Sequence, residues 1–209
     1  DHKPKDHALA LQAICSDNSI SGVILSGGDP LLMGDEALAS LLQQINAIPQ
    51  FARIRLHSRL RIVLPQRVTQ GLLALLQERR CPVALVVQCN HAQELHAQTA
   101  RAFVCFRDAG VRLLNQNVLL HGINEEVDAL CKLSRVLFAQ SVLPYYLHMP
   151  DVVSGTAHFD VLDAKGMALH TQMRNQLPGY LLPRLVREEP DGASKTPVPI
   201  DRLPLRTID

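Results

Sequence analysis

Apolar residues recur along this chain in two alternating rhythms. Short continuous apolar runs, closed by Gly, Asn, His or Pro, read as buried strands. They occupy 21–28 (SGVILSGG), 52–58 (ARIRLHS), 83–90 (VALVVQCN), 111–120 (VRLLNQNVLL) and 143–150 (LPYYLHMP), with 179–188 (GYLLPRLVRE) as a last strand or extended segment. Between them, apolar residues return every three or four positions, the helical period, over 35–48, 68–79, 92–110, 125–140 and 163–178. Thr69 is placed to cap the second of these helices and Gly110 to stop the third. Strands and helices alternating at this spacing predict βαβ units and a mostly parallel sheet, either doubly wound or a barrel. The sequence lacks the glycine-rich dinucleotide fingerprint that would favour a doubly wound sheet.

Polar groups collect at the C-terminal ends of successive strands. They are Ser26-Gly27-Gly28-Asp29, His57-Ser58-Arg59, Gln88 with Asn90 and His91, Asn115-Gln116, and His148 with Asp151. Ligands of barrels and open α/β sheets bind at that edge. Core packing gives no reason for five polar strand ends in a row.

Composition narrows the function. A chain of 209 residues is one large domain or two small ones, long enough to bury a core. Its formal net charge of +1 argues against a general polyanion binder, and the absence of Trp argues against a base-stacking platform. No apolar run approaches the ~20 residues that span a bilayer. The opening DHKPKDHALA does not read as a signal peptide. The five cysteines, Cys15, Cys81, Cys89, Cys105 and Cys131, are odd in number, widely spaced and free of CxxC pairs. That pattern excludes a disulfide framework or zinc knuckle and fits a reducing, cytoplasmic compartment.

Several short stretches carry candidate chemistry, each with a plainer alternative. In SGGDPLL (26–32), two glycines let a ligand approach backbone amides, or merely form a tight turn with Asp29 as a cap. Arg59, Arg61 and Arg67 could clamp a carboxylate or phosphate, or pair with neighbouring helices. Asn115 and Gln116 lie in an apolar run and point to opposite faces, so at most one faces the interior. Tyr145, Tyr146, His148, Asp151 and His158 cluster in 144–159, where Asp151 could meet an ammonium group or cap a turn. Lys195 sits in DGASKTPV (191–198), seven residues after Glu188. It is either a solvated loop lysine or a nucleophile that condenses with an aldehyde.

Taken in order, ILSGGDPLL, LHSRLRIVLPQRVT, NHAQE, LLNQNVLL, PYYLHMPD with GTAHF, and SKTPV resemble the lysine 2,3-aminomutase family of radical S-adenosylmethionine enzymes. They are most similar to its branch that serves (R)-β-lysylation of elongation factor P. The resemblance covers nearly the whole chain. It implies a partial radical S-adenosylmethionine (β/α) barrel over 1–178 and a C-terminal segment over 179–209 that carries a pyridoxal phosphate lysine. It implies that Lys195 anchors pyridoxal 5′-phosphate and that Ser26, Gly27, Gly28 and Asp29 hold the methionine part of S-adenosylmethionine. Gln116 would contact that cofactor, and Tyr145 would lie near the pyridoxal ring. Asp151 and Glu188 would grip the distal ammonium of substrate lysine, Glu188 standing where relatives have Asp. The activity implied is isomerisation of (S)-α-lysine to (R)-β-lysine.

The sequence departs from the family pattern in two respects. The motif CxxxCxxC that holds a 4Fe–4S cluster should precede SGGDP and does not occur, so the chain as it stands is expected to lack radical activity and to contribute no metal ligand. Gln88 stands where relatives commonly have His. Two other readings remain: a radical-independent pyridoxal phosphate barrel such as an amino-acid racemase, which leaves SGGD and Gln116 without a use, and a non-catalytic binding domain with a degenerate site.

Overall fold

The structure, a computed structural model, describes residues 4–59, 67–151, 155–189, 192 and 194–199. Arg61, Asp191 and Ala193 of the sequence motifs lie outside the described residues. Seven strands form one sheet in strictly sequential order: β1 (Gly22–Leu25), β2 (Arg53–Ser58), β3 (Val83–Val87), β4 (Arg112–Val118), β5 (Val142–His148), β6 (Arg184–Arg187) and β7 (Thr196–Pro197). The first six are parallel, and β7 turns back antiparallel on β6. Sequential parallel order is the order of a singly wound barrel, here with β1 at one edge of the sheet. The sheet crosses residue 178, where the sequence reading drew a boundary, because β6 and β7 both hydrogen-bond into it.

The helices are α1 (Pro4–Ser16), α2 (Asp35–Asn46), α3 (Gln70–Gln77), α4 (Ala97–Asp108), α5 (Val127–Ala139) and α6 (Asp163–Gln176). Period-two alternation divides each strand between two faces. Ile54, Leu56, Val83, Leu85, Val87 and Leu113 point one way, into a core shared with Leu38, Leu42, Leu72, Leu76, Phe103 and Phe106 of the helices. A second cluster packs Leu147, Leu185 and Leu119 under Leu169 and Met173 of α6. There α6 comes so close to the sheet that a Cβ on Gly166 would stand 2.5 Å from the sulfur of Met149.

Local chemistry explains the element ends. The Thr69 hydroxyl accepts from the Leu72 amide at 3.1 Å and caps α3, contributing about 1 kcal/mol. Two consecutive arginines tie helix C-termini to the sheet's lower edge: Arg79 donates to the Ala109 and Gly110 carbonyls, Arg80 to those of Asn46, Ile48 and Phe51. The helix expected over 92–110 is broken. The Glu94 carboxylate accepts the amides of Asn90 and His91 at 2.7 and 2.8 Å, closing a 3₁₀ turn over Ala92–Glu94 before α4 begins. Helix α1 was not anticipated, because its apolar residues run almost without period: Leu11 and Ile14 reach the core while Leu9 stays exposed. No described helix is long and apolar enough to cross a membrane.

Candidate functional site

The sheet face opposite the helices is polar. The alternation that sends Ile54, Leu56 and Ser58 into the core turns Arg55 and His57 of β2 the other way. On β4 the same parity leaves Gln116 on the inner face, while Asn115 and Asn117 are buried on the outer one. Asn115 is spent there: its carbonyl accepts the Cys89 amide at 2.9 Å, and its amide donates to the Cys89 carbonyl at 3.1 Å. Gln116 aligns with Tyr146 of β5, and Tyr146 with Arg184 of β6; one step on, Val118 aligns with His148 and His148 with Val186. Gln88, half-buried just past β3, continues the inner parity of Ala84 and Val86.

The register between β4 and β5 slips by one residue, with Asn115 opposite Pro144 but Gln116 opposite Tyr146. A strand normally sends neighbouring side chains to opposite faces, and an extra residue breaks that rule. The rings of Tyr145 and Tyr146 therefore lie only 3.8 Å apart between centroids, and the Tyr145 hydroxyl donates to the Tyr146 oxygen at 3.0 Å. Tyr146 also meets the His148 ring edge-on at 5.7 Å. Burial pushes the Tyr146 phenol up, and the hydrogen bond that links the two hydroxyls adds to it.

Lys195 comes to this face from the far end of the chain. Val186 pairs with Pro197 and Arg187 with Thr196, and the Val198 amide donates to the Leu185 carbonyl at 3.1 Å. This return path folds the segment back along β6. Its tightness shows at Gly192, where a Cβ would stand 3.1 Å from the Glu189 carbonyl oxygen. The half-buried Lys195 ammonium donates to the Glu188 carboxylate and lies 5.8 Å from the Tyr146 ring centroid. That bond holds the Glu188 carboxyl below its usual range.

The two imidazoles beside it are neutral at neutral pH. Burial, then the charges of Arg55 and Lys195, lower His57 to about 4. Burial, then Lys195, lower His148 to about 4, against the opposing pull of Glu188. His57 Nε2, Gln116 Oε1 and His148 Nε2 are all buried without a hydrogen-bond partner. Buried polar atoms are ordinarily paired, and clusters of exceptions mark places where a ligand is expected.

The glycine turn lies at the edge of the sheet. Gly27, Gly28 and Asp29 have φ of 80°, 64° and 46°, three successive positive values that make a tight turn at the end of β1. A Cβ on Gly28 would meet nothing within 4 Å, so backbone conformation and not crowding selects glycine there. The Asp29 carboxylate faces the protein: it accepts from the Leu31 amide at 3.1 Å and from the Ser58 hydroxyl and Arg59 amide at 2.9 Å, pinning the turn to the end of β2. A largely apolar cavity of about 650 Å³ runs from Ser26–Pro30 along β1 to α1.

The structure thus gathers Gln116, Tyr145, Glu188 and Lys195 around one face and leaves other candidates apart. Asp151 is exposed just past β5 and precedes residues 152–154, which lie outside the described residues. Arg67 is committed to Asp35 at 2.6 Å and to the Met33 carbonyl at 2.5 Å, so of its two readings the structural one holds. His158 is exposed against the Phe159 ring. Arg55 and Arg184 were overlooked. The alternation in RIRLHS, which sets Arg53, Arg55 and His57 against Ile54, Leu56 and Ser58, carried the signal for Arg55.

The residues present fit two of the three implied cofactors. An amine among neutral imidazoles and unpartnered polar atoms suits a pyridoxal aldehyde, and the amides of the glycine turn suit the carboxylate end of S-adenosylmethionine. An iron–sulfur cluster does not fit: Cys81, Cys89 and Cys131 are buried apart, and the described residues contain no group of three His, Cys, Asp or Glu able to hold a metal ion.

No protein-family model matches the chain. It is 40% identical over 192 residues to the L-lysine 2,3-aminomutase of Haemophilus influenzae, covering 92% of this chain and 57% of that protein. It is 41% identical over 189 residues to the L-lysine 2,3-aminomutase of Escherichia coli, covering 90% and 55%. The chain therefore spans about half the length of the curated relatives it matches. A radical SAM methyltransferase from Sphaerobacter thermophilus superimposes on 88% of the chain and 55% of its own, with a TM-score of 0.51 at 15% identity, a likeness of fold.

Proposed function

Over nine-tenths of its length the chain belongs to the lysine 2,3-aminomutase family, and from that premise we propose that it carries the cofactor-anchoring and ammonium-holding residues of an isomerase that converts (S)-α-lysine to (R)-β-lysine for modification of elongation factor P. The observation that carries this reading is the position of Lys195, turned over the inner face beside Tyr146 and paired with Glu188.

Pyridoxal phosphate and S-adenosylmethionine, together with an iron–sulfur cluster that donates one electron and whose ligands the described residues do not supply, would provide the radical rearrangement that moves the amino group from Cα to Cβ. The protein's part is to bind, orient and move protons. Lys195 anchors the pyridoxal aldehyde and must give up a proton to do so. His57 and His148 are held neutral beside it by burial, so neither adds a positive charge next to the amine. The amides of Ser26, Gly27, Gly28 and Asp29 receive the amino-acid end of S-adenosylmethionine, and the Gln116 carbonyl, buried without a partner, provides a further contact. Tyr145 braces Tyr146 beside the ring system. Glu188 holds the Lys195 ammonium in the free protein; with Asp151 it then takes the distal ammonium of the substrate. A charge-assisted pair there rejects shorter or neutral analogues, because a missing cation leaves carboxylates uncompensated.

The test is conversion by a protein that carries this chain together with a reduced 4Fe–4S cluster and both organic cofactors. (R)-β-lysine should accumulate from (S)-α-lysine, and Asp151→Asn should raise KM more than it lowers kcat. No β-lysine from a fully loaded protein would overturn the reading.

A further inference from the structure

The chain leaves β5 at His148, passes Met149 and Asp151, and crosses the rim of the sheet through residues 155–162 before α6 begins. Little of this strap is fixed by burial. Thr156, Ala157, His158, Asp160 and Leu162 are exposed, Phe159 is half-buried, and Val161 enters the second core cluster. A segment with so few buried contacts opens locally unless polar ties hold it. Two ties come from the loop between β4 and α5. The His121 amide donates to the Phe159 carbonyl at 3.0 Å, and the Lys165 ammonium, in the first turn of α6, donates to the Glu125 carboxylate. A third, the more exposed pair of Arg187 with Asp163, joins the same turn to β6.

Glu125 joins the first two ties. Its side chain is 15% exposed, and besides Lys165 it meets His121 Nδ1 at 2.9 Å and accepts the Gly122 amide at 3.0 Å. The Lys165 bond, then those of Gly122 and His121, hold its carboxyl down to about 2, so it stays an anion through the neutral range. The loop beneath it is a firm base. Asn124 is 1% exposed; its carbonyl accepts the Leu120 amide at 2.7 Å, and its amide donates to the Asn90 and Val118 carbonyls at 2.9 Å each, stitching the loop to the ends of β3 and β4. On its other side, Lys165 adjoins Gly166, the point where α6 presses on Met149, two residues before Asp151.

We propose that Glu125 is a positioning residue for recognition of the substrate's distal ammonium: by tying His121 and Lys165 together it fixes the strap that follows Asp151, and through the strap it sets the place of the Asp151 carboxylate. The inference rests on the reading of Asp151 as an ammonium holder and deepens it by naming what holds Asp151. A half-exposed ion pair contributes little to global stability, whereas a small displacement of a binding group is costly to recognition. Loss of the tie therefore shows in substrate recognition and local opening, not in global unfolding.

Glu125→Gln tests it, in a protein that carries this chain with a reduced 4Fe–4S cluster and both organic cofactors. KM for lysine should rise about five- to tenfold with kcat within about twofold of wild type, and the thermal midpoint should stay near wild type. Amides of residues 155–162 should exchange with deuterium about tenfold faster or more, while those of α5 keep their protection. Lys165→Met should reproduce both effects, and the double variant should add nothing, because both changes cut one tie. An unmoved KM, a loss in kcat alone, unchanged exchange in the strap, or a lowered thermal midpoint that accounts for the exchange overturns the positioning role. Asp151→Asn separates the two readings. KM raised in Asp151→Asn but not in Glu125→Gln sinks the positioning role alone. KM raised in Glu125→Gln but not in Asp151→Asn shows that Glu125 acts by another route and overturns it too. KM unmoved in both sinks the ammonium reading and the inference with it.

Discussion

Asn115 and Gln116 are chain neighbours of the same chemistry, and they lead opposite lives. Asn115 faces the helices, is 1% exposed and closes both of its hydrogen bonds on the backbone of Cys89. Gln116 faces the inner side, and its carbonyl oxygen is buried with no partner. The contrast extends to the whole sheet. Outward-facing strand positions are mostly apolar, with Ser58 and Asn115 hydrogen-bonded there, whereas inward-facing ones hold Arg55, His57, Gln116, Tyr146 and His148, with three orphaned polar atoms. A buried group that satisfies its neighbours builds the fold; one that lacks a partner raises the energy of the free protein until a ligand supplies it.

Mutations on the two faces should separate accordingly. The largest effect is expected outside, where Phe103→Ala empties a fully buried ring and should cost about 3–5 kcal/mol in denaturant unfolding. Asn115→Ala should follow at about 2–4 kcal/mol, because it strands a buried amide and a buried carbonyl of Cys89. A cost below that of an ordinary surface change would show that water replaces the side chain.

The inner face should announce itself through pH. His57 and His148 titrate near 4 in the folded chain and near 6.5 unfolded, so between those values the unfolded chain binds more protons. Stability contributed by the neutral imidazoles is complete above about pH 6.5 and is lost as pH falls toward 4. The denaturation midpoint should drop over that window, and the drop should flatten in His57→Gln/His148→Gln. An equally steep drop in the double variant would remove the two imidazoles as its cause. The smallest effect belongs to Gln116→Ala, within about 0.5 kcal/mol of wild type, since it deletes an atom that satisfies nothing.

Much of this division was legible in the sequence. Every strand of the parallel series and five of the six helices followed from period and punctuation, and the opposed faces of Asn115 and Gln116 followed from alternation alone. The readings that failed did so where local side-chain chemistry overrode period. Glu94 capped a turn that looked like the start of a helix, and α1 lacked the stripe that would have announced it. The juxtaposition of Tyr145 and Tyr146 depends on a register slip between two strands, a property of the pair that neither strand encodes by itself. Arg55 was overlooked because a charged residue inside a strand suggests solvent, and only the assembled sheet shows that it shares a face with His57, Gln116 and Tyr146.

Whether the polar sheet face is a reaction site turns on Lys195, and one measurement decides it. The chain is incubated with pyridoxal phosphate, reduced with borohydride and digested, and the attachment point is read by mass spectrometry. A pyridoxyl group on Lys195, absent from Lys195→Ala and in clear excess over Lys132 and Lys165, is the expected result. Attachment spread evenly over the lysines, or unchanged in Lys195→Ala, would make Lys195 a structural partner of Glu188 and nothing more.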